Sequence, residues 1–159
     1  MTGRAHVERE KQRLDATFKR ASGVKGDAEL SSDFARHLCV LVYGFLEQAI
    51  IELLIEYVRV RSAEEIQRHV GQRLRRFTTA SPKNITELLG SFDIDLQKRL
   101  ENFLVDEYKD AVDSIVNLRQ TVSHGRSAGV TMSSVQRYYD RVKDVVDYVA
   151  ELCIPAGQA

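Results

Sequence analysis

Toward the C-terminal end of the chain, the run Asn117-Leu118-Arg119-Gln120-Thr121-Val122-Ser123-His124-Gly125 sets an arginine and a histidine apart with four residues between them. A guanidinium and an imidazole suffice to break an RNA phosphodiester without a metal ion. Arginine grips a phosphate through two parallel N–H bonds, and imidazole titrates near neutrality, so it can both take and give protons. Basic residues are also what any helix C-terminus prefers, and spacing alone does not separate the two readings. On a regular helix, residues five apart diverge by about 140°. Arg119 and His124 can then share one phosphate only if the helix unwinds at His124, which Gly125 would permit.

The elements that must position this pair all read with helical period. A charged amphipathic helix is expected over about Ala5 to Ala21, broken by Ser22-Gly23-Val24-Lys25-Gly26. A long second helix follows from about Ser32 to Arg59, with Phe34, Leu38, Leu41, Val42, Phe45, Ala49, Ile50, Leu53 and Tyr57 spread over more than one face. So wide an apolar surface marks a central helix, contacted on several sides. A short basic helix spans Ala63 to Phe77, and Thr78 to Lys83 reads as a loop. Asn84 with Glu87 has the spacing of an N-cap and its reciprocating carboxylate. After Gly90 and Asp93, a helix carrying Leu96 and Leu100 continues through Tyr108, Val112 and Ile115 to the Arg/His run, with a break near Asp106. Gly125-Arg126-Ser127-Ala128-Gly129 ends it. The last helix opens at Thr131 to Ser134, with Ser133 and Gln136 at capping-box spacing, and runs to Cys153 before Pro155. No strand is expected, so the fold class is all-α, a bundle of four to five main helices with short accessory ones.

Composition bounds the alternatives. The 159 residues are 43% hydrophobic and 29% charged, which fits one soluble globular domain over 1–159, with an N-terminal helix and loop (1–30) and a core (31–153). Cys39 and Cys153 lie far apart on apolar stretches with no CxxC or Cys/His cluster, so buried thiols are expected rather than a disulfide or zinc site. Met1-Thr2-Gly3-Arg4 leads into a charged helix rather than an apolar signal core, and Glu47, Glu52 and Glu56 interrupt the longest apolar run. A cytoplasmic location is the expectation. Net charge is zero, which argues against coating nucleic acid by bulk attraction, yet the distribution is uneven. Between Arg59 and Lys83 seven basic residues face two acids; between Glu87 and Asp113 eight acids face three bases. Either a basic face is open to a polyanion, or the two stretches pair with each other or with a second subunit.

With these residues in place, the chain resembles the HEPN superfamily (higher eukaryotes and prokaryotes nucleotide-binding), whose signature is an arginine, four to six residues, then a histidine. Arg119-x4-His124 falls at the end of the penultimate long helix, followed by a capped final helix, and Phe34 to Leu54 resembles the second helix of prokaryotic members. The nearest type is RiboL-PSP-HEPN, over roughly Ser31 to Val149. One departure is Gln120, where many members place asparagine directly after the arginine. The resemblance implies a metal-independent endoribonuclease, often the toxin of a toxin–antitoxin system or a phage-defence effector. It carries Arg119 and His124 over as catalytic residues, and Glu47 more loosely as a polar residue of the second helix near the site. Asn117, Thr121 and Ser123 are plausible supporting hydrogen-bonders. Glu47 also reads as an ordinary solvated helix glutamate.

The chemistry expected is attack of the ribose 2′-OH on the adjacent phosphate, which uses two proton-transfer roles. One chain offers one positioned histidine, so a homodimer with a composite cleft is expected, with RNA as substrate and an antitoxin or defence-system partner possible. No cofactor and no metal are expected: there is no Gly-rich phosphate loop, no HExxH and no Glu-x-x-His pair. Glu65 and His69 read as a surface contact, His37 as structural, and His6 as uninformative. The alternative function is a non-catalytic helical module that dimerises or binds RNA, nucleotide or a partner.

Overall fold

Helical period is all this chain has to build with, and the computed structural model is 81% helical. It describes residues 2–24, 26–126 and 129–155. Seven helices follow in order: α1 (Gly3–Ser22), α2 (Ala28–Arg59), α3 (Glu64–Leu74), α4 (Pro82–Gly90), α5 (Ile94–Phe103), α6 (Asp106–Ser123) and α7 (Met132–Cys153). Four are long and three short, and no strand occurs among the described residues. The all-α expectation holds. Lys25, Ser127 and Ala128, part of the two expected breaks, lie outside the described residues.

The apolar surface of α2 decides the architecture. Leu38, Val42, Leu46, Ile50, Leu53 and Leu54 are fully buried or nearly so, and they do not lie on one face. α2 therefore packs against α1, α3, α6 and α7. By length and composition it is apolar enough to cross a membrane, but here most of its apolar residues are covered by neighbouring helices. Tyr139 of α7 anchors the α1 side: its ring stacks on Phe18 at 4.5 Å and meets Phe45 edge-on at 6.2 Å. Its hydroxyl donates to Asp15 Oδ1 at 2.8 Å, so the buried ring leaves no orphan donor. Cys39 and Cys153 are free and buried, and burial pushes their thiols up to about 11 and about 12.

The helix ends correct several expectations. α4 begins at Pro82, not Asn84. Ser81 is its N-cap and accepts from the Asn84 N–H, because proline suits the first helical position. The Asn84 side chain instead reaches back to the Thr79 carbonyl at 2.8 Å. The capping box of α7 is Thr131 with Ser134, not Ser133 with Gln136, whose amide donates to Asp140. α2 starts earlier than expected, capped by Asp27, whose carboxylate accepts from the Leu30 N–H. The break near Asp106 is present: α5 ends at Phe103, and Asp106 opens α6 at φ +47°, a region aspartate tolerates. His37, expected to be structural, is exposed.

Glu56 is the one buried charged residue among those described. Arg59 Nε and Nη2 donate to its two oxygens at 2.8 and 2.7 Å, and the Gly3 N–H approaches Oε2 at 3.5 Å. The start of α1 thus lies flush on α2; a Cβ on Gly3 would come within 2.5 Å of the Glu52 carbonyl oxygen. The Arg59 hydrogen bonds hold the Glu56 carboxyl below its ordinary 4.5, against the opposing effect of burial. A lowered native value means the contribution is complete above the unfolded-chain value and is lost as pH falls through the native one. Glu56→Gln is expected to cost about 1.5–3 kcal/mol at pH 7, with the gap to wild type closing from about pH 6 to about pH 3. Urea titrations across that range check it, and a gap independent of pH would show that the loss does not come from the ionised carboxylate.

Candidate functional site

α6 stays on its helical path as far as His124, whose N–H still bonds the Gln120 carbonyl at 3.1 Å, so the unwinding expected to swing the imidazole back toward Arg119 comes only after it. Its last helical residue is Ser123, and His124 is the C-cap with φ −88° and ψ 11°. Gly125 follows at φ +67°. The Arg126 N–H returns to the Thr121 carbonyl at 3.1 Å and the Gly125 N–H to the Val122 carbonyl at 3.0 Å. This bond pair is a Schellman motif, and it needs a residue at home in the left-handed region at Gly125. His124 is therefore held where the helix stops, with its side chain exposed.

Arg119 sits on the last full turns of α6 and is also exposed. Its guanidinium carbon lies 5.0 Å from the centre of the Tyr43 ring on α2. A cation over an aromatic face is attracted by the ring quadrupole. Among the described residues this guanidinium enters no ion pair or hydrogen bond, so its N–H donors remain free for an anion. Arg119 and His124 make no hydrogen bond with one another.

Glu47 joins the site through the same tyrosine. The Tyr43 hydroxyl donates to Glu47 Oε2 at 2.7 Å and accepts the Ala80 N–H at 3.3 Å. Burial, then the Glu47 hydrogen bond, raises the Tyr43 phenol above its ordinary value, so it remains a donor at neutral pH. Tyr43 thus connects α2, α6 and the loop before α4. It is the residue that sequence reasoning missed. The available signal was a lone phenol in the apolar run Leu38 to Leu46, four residues before Glu47 on the same helix face.

The loop that brings Ala80 to Tyr43 is strained. Thr79 has φ +61°, unusual for a β-branched residue, while its carbonyl accepts from Asn84 and Ser81. Of the other expected residues, Thr121 turns its hydroxyl back to the Asn117 carbonyl at 2.9 Å, and Asn117 and Ser123 are exposed. Beside the helix end, an open cleft is lined by Asp33, Arg36, His37, Val40, Val122, Gly125 and Arg126. Glu65 and His69 are both exposed and far along the chain from this cluster. Among the described residues no group of three His, Cys, Asp or Glu side chains is placed to hold a metal ion.

A helical bundle whose penultimate long helix ends on Arg-x4-His, with the histidine at the cap, has the form of a HEPN domain. A family model described as RiboL-PSP-HEPN matches residues 5–154, and the chain belongs to that family. The match reaches further toward both ends than Ser31 to Val149, taking in α1 and the whole of α7. Membership points to an RNase or nucleotide-binding module. No curated protein and no solved structure matches the chain.

Substitutions at two positions probe the geometry. Tyr43→Phe keeps the ring beneath Arg119 but strips the buried Ala80 N–H of its acceptor, and is expected to cost about 1–3 kcal/mol in urea unfolding. A neutral result would mean that Tyr43 does not tie the loop to the site. Nothing lies within 4 Å of a Cβ on Gly125, so Gly125→Ala tests backbone conformation alone. A loss of about 1–2 kcal/mol is expected, largely restored in Gly125→Asn. Equal stability of all three would remove the left-handed turn from the account.

Proposed function

We propose that this protein is a metal-independent endoribonuclease acting through Arg119 and His124. The observation that carries the reading is the end of α6, where the Gly125 turn leaves His124 exposed at the cap and Arg119 has uncommitted N–H donors over Tyr43. In the proposed reaction the ribose 2′-oxygen attacks the adjacent phosphorus as a base takes its proton. The bond from phosphorus to the 5′-oxygen breaks, and that oxygen receives a proton from an acid. The products are a 2′,3′-cyclic phosphate and a 5′-hydroxyl. His124 supplies proton transfer and Arg119 stabilises the charge gathering on the phosphate oxygens. Glu47, held by Tyr43, has one oxygen engaged and one free of protein partners among the described residues, and its proposed part is to orient the substrate or a proton carrier.

Two proton transfers and one histidine per chain favour a two-fold dimer in which two copies of Arg119 and His124 face one RNA strand. Exposed Leu30 and Val40 lie on α2, Val40 lining the cleft with Val122 and Gly125, and they give such a dimer apolar surface to cover. The setting proposed is cytoplasmic, as an RNA-degrading effector of a toxin–antitoxin or phage-defence system with a cognate partner. The family resemblance supports this.

Bulk and transfer RNA incubated with the protein in EDTA test the reading. Wild type is expected to leave 2′,3′-cyclic phosphate ends, and His124→Ala to lose at least about a hundredfold in rate while folding normally. Absence of cleavage by folded wild type would favour the non-catalytic binding module, for which Gln120 in place of asparagine already speaks. Full activity from a protein that sediments as a monomer would remove the dimer.

A further inference from the structure

The cations of the Arg59 to Lys83 stretch fall into two groups. Arg59 is bound to Glu56, Arg61 lies 3.9 Å from the Tyr57 ring centre, Arg68 approaches Glu64, and Lys83 approaches Glu87. Arg73, Arg75 and Arg76, at the end of α3, are exposed, and their guanidinium groups enter no ion pair or hydrogen bond among the described residues. The acidic stretch beyond does not neutralise them. Asp95, Glu107 and Asp113 pair with Arg99, Arg141 and Lys109.

Two of the three free arginines, Arg73 and Arg76, rim a groove of about 390 Å³ between α3 and the end of α4. Its walls are apolar and partly aromatic: Val70, Leu74, Phe77, Leu88 and Phe92. That volume is within the roughly 300–1,000 Å³ of small-ligand pockets. A helix C-terminus attracts one or two cations through its dipole, but the dipole does not explain an open aromatic groove between them. Unpaired cations beside aromatic faces are what a single nucleic acid strand needs: phosphates on the arginines, a base against the rings.

The chain path ties the groove to the motif. Ala80 is four residue steps on from Arg76, a reach of at most about 14 Å. The Ala80 N–H bonds the Tyr43 hydroxyl, and the Tyr43 ring lies under Arg119. A strand of a few nucleotides spans that distance.

We infer that the α3–α4 groove, through Arg73, Arg76 and Phe77, is a binding surface for single-stranded RNA that feeds the Arg119–His124 end of α6. The inference rests on the ribonuclease reading for the choice of RNA and for the direction of feeding, not for the existence of the surface.

The test is fluorescence anisotropy of a labelled single-stranded RNA oligonucleotide in EDTA, on His124→Ala protein so that the probe stays intact. Adding Arg73→Ala and Arg76→Ala is expected to weaken binding at least about tenfold. The slope of log affinity against log salt should fall by about 1.4, about 0.7 for each phosphate no longer neutralised. Removing two charges elsewhere, with Arg20→Ala and Lys98→Ala on α1 and α5, should leave both unchanged. Unlabelled duplex RNA of the same length should compete poorly. Equal losses in the two charge-removal variants, or equal competition by duplex, would overturn the inference. Cleavage by wild type separates the two proposals. RNA binding that depends on α3 without any cleavage would retire the ribonuclease and leave the groove standing. Cleavage with binding indifferent to Arg73 and Arg76 would do the reverse.

Discussion

Burial of α2 over most of its circumference is the constraint on which the other features depend. A helix of 32 residues with apolar side chains around much of its circumference cannot be hidden by one partner, so α1, α6 and α7 have to surround it. That arrangement makes any polar group on α2 conspicuous, because it must find a partner or face solvent. Glu56 finds Arg59 and the start of α1. Tyr43 finds Glu47 and the Ala80 N–H. The first joint closes the N-terminal helix onto the bundle. The second lies beside the end of α6, so one helix positions both a structural contact and the surroundings of the Arg/His pair.

The end of α6 shows how backbone conformation sets the chemistry available. Because His124 keeps its helical N–H bond to Gln120, its side chain and that of Arg119 leave α6 about 140° apart. The turn at Gly125 stops the helix one residue before, and the two returning N–H bonds fix that stop. What results is an exposed imidazole and an exposed guanidinium carried by the same helix end, neither consumed by an ion pair or side-chain hydrogen bond among the described residues. Arg119 still has a fixed neighbour in the Tyr43 ring, and Tyr43 is itself pinned by two hydrogen bonds. A guanidinium lying on a pinned ring loses less freedom on meeting a phosphate than one waving in solvent, which is the usual requirement for a preorganised anion site.

Much of this was legible from residue types. The width of the apolar surface of α2 marked it as central, and the Gly125 stop marked the end of α6, because both follow from local periodicity and from what glycine permits. The helix starts were less legible. Ser81-Pro82 and Asn84-x-x-Glu87 are competing signals for one helix, and the second gave way because proline fixes a helical φ at the first position without needing its N–H satisfied. Thr131 and Ser134 formed the capping box although serine is not the usual partner at the fourth position, since the hydroxyl reaches the N-cap N–H at 3.1 Å. Tyr43 was legible only as a lone phenol one turn before Glu47, because the rest of its role depends on Ala80 and Arg119, 37 and 76 residues away in sequence. His37, beside the apolar run, sits on the exposed strip of α2 instead of in the core, a difference of one helical step.

Zero net charge hides the feature of the surface with most bearing on ligands. The acidic and basic stretches do not cancel by meeting: Lys83 with Glu87 is the only ion pair joining them among the described residues. Most other ion pairs are local, three or four residues apart on one helix, and such exposed pairs contribute little to stability. The arginines at the end of α3 are outside even these local pairs. Leaving three like charges together costs some repulsion, and a protein under no demand except folding would have acids among them. Their position beside an aromatic groove, on the chain segment that leads through the strained Thr79 to Tyr43, places the cost where a polyanion would repay it. On the proposed reading, charge is arranged along this segment rather than summed over the molecule, and the segment leads through Ala80 and Tyr43 to Arg119.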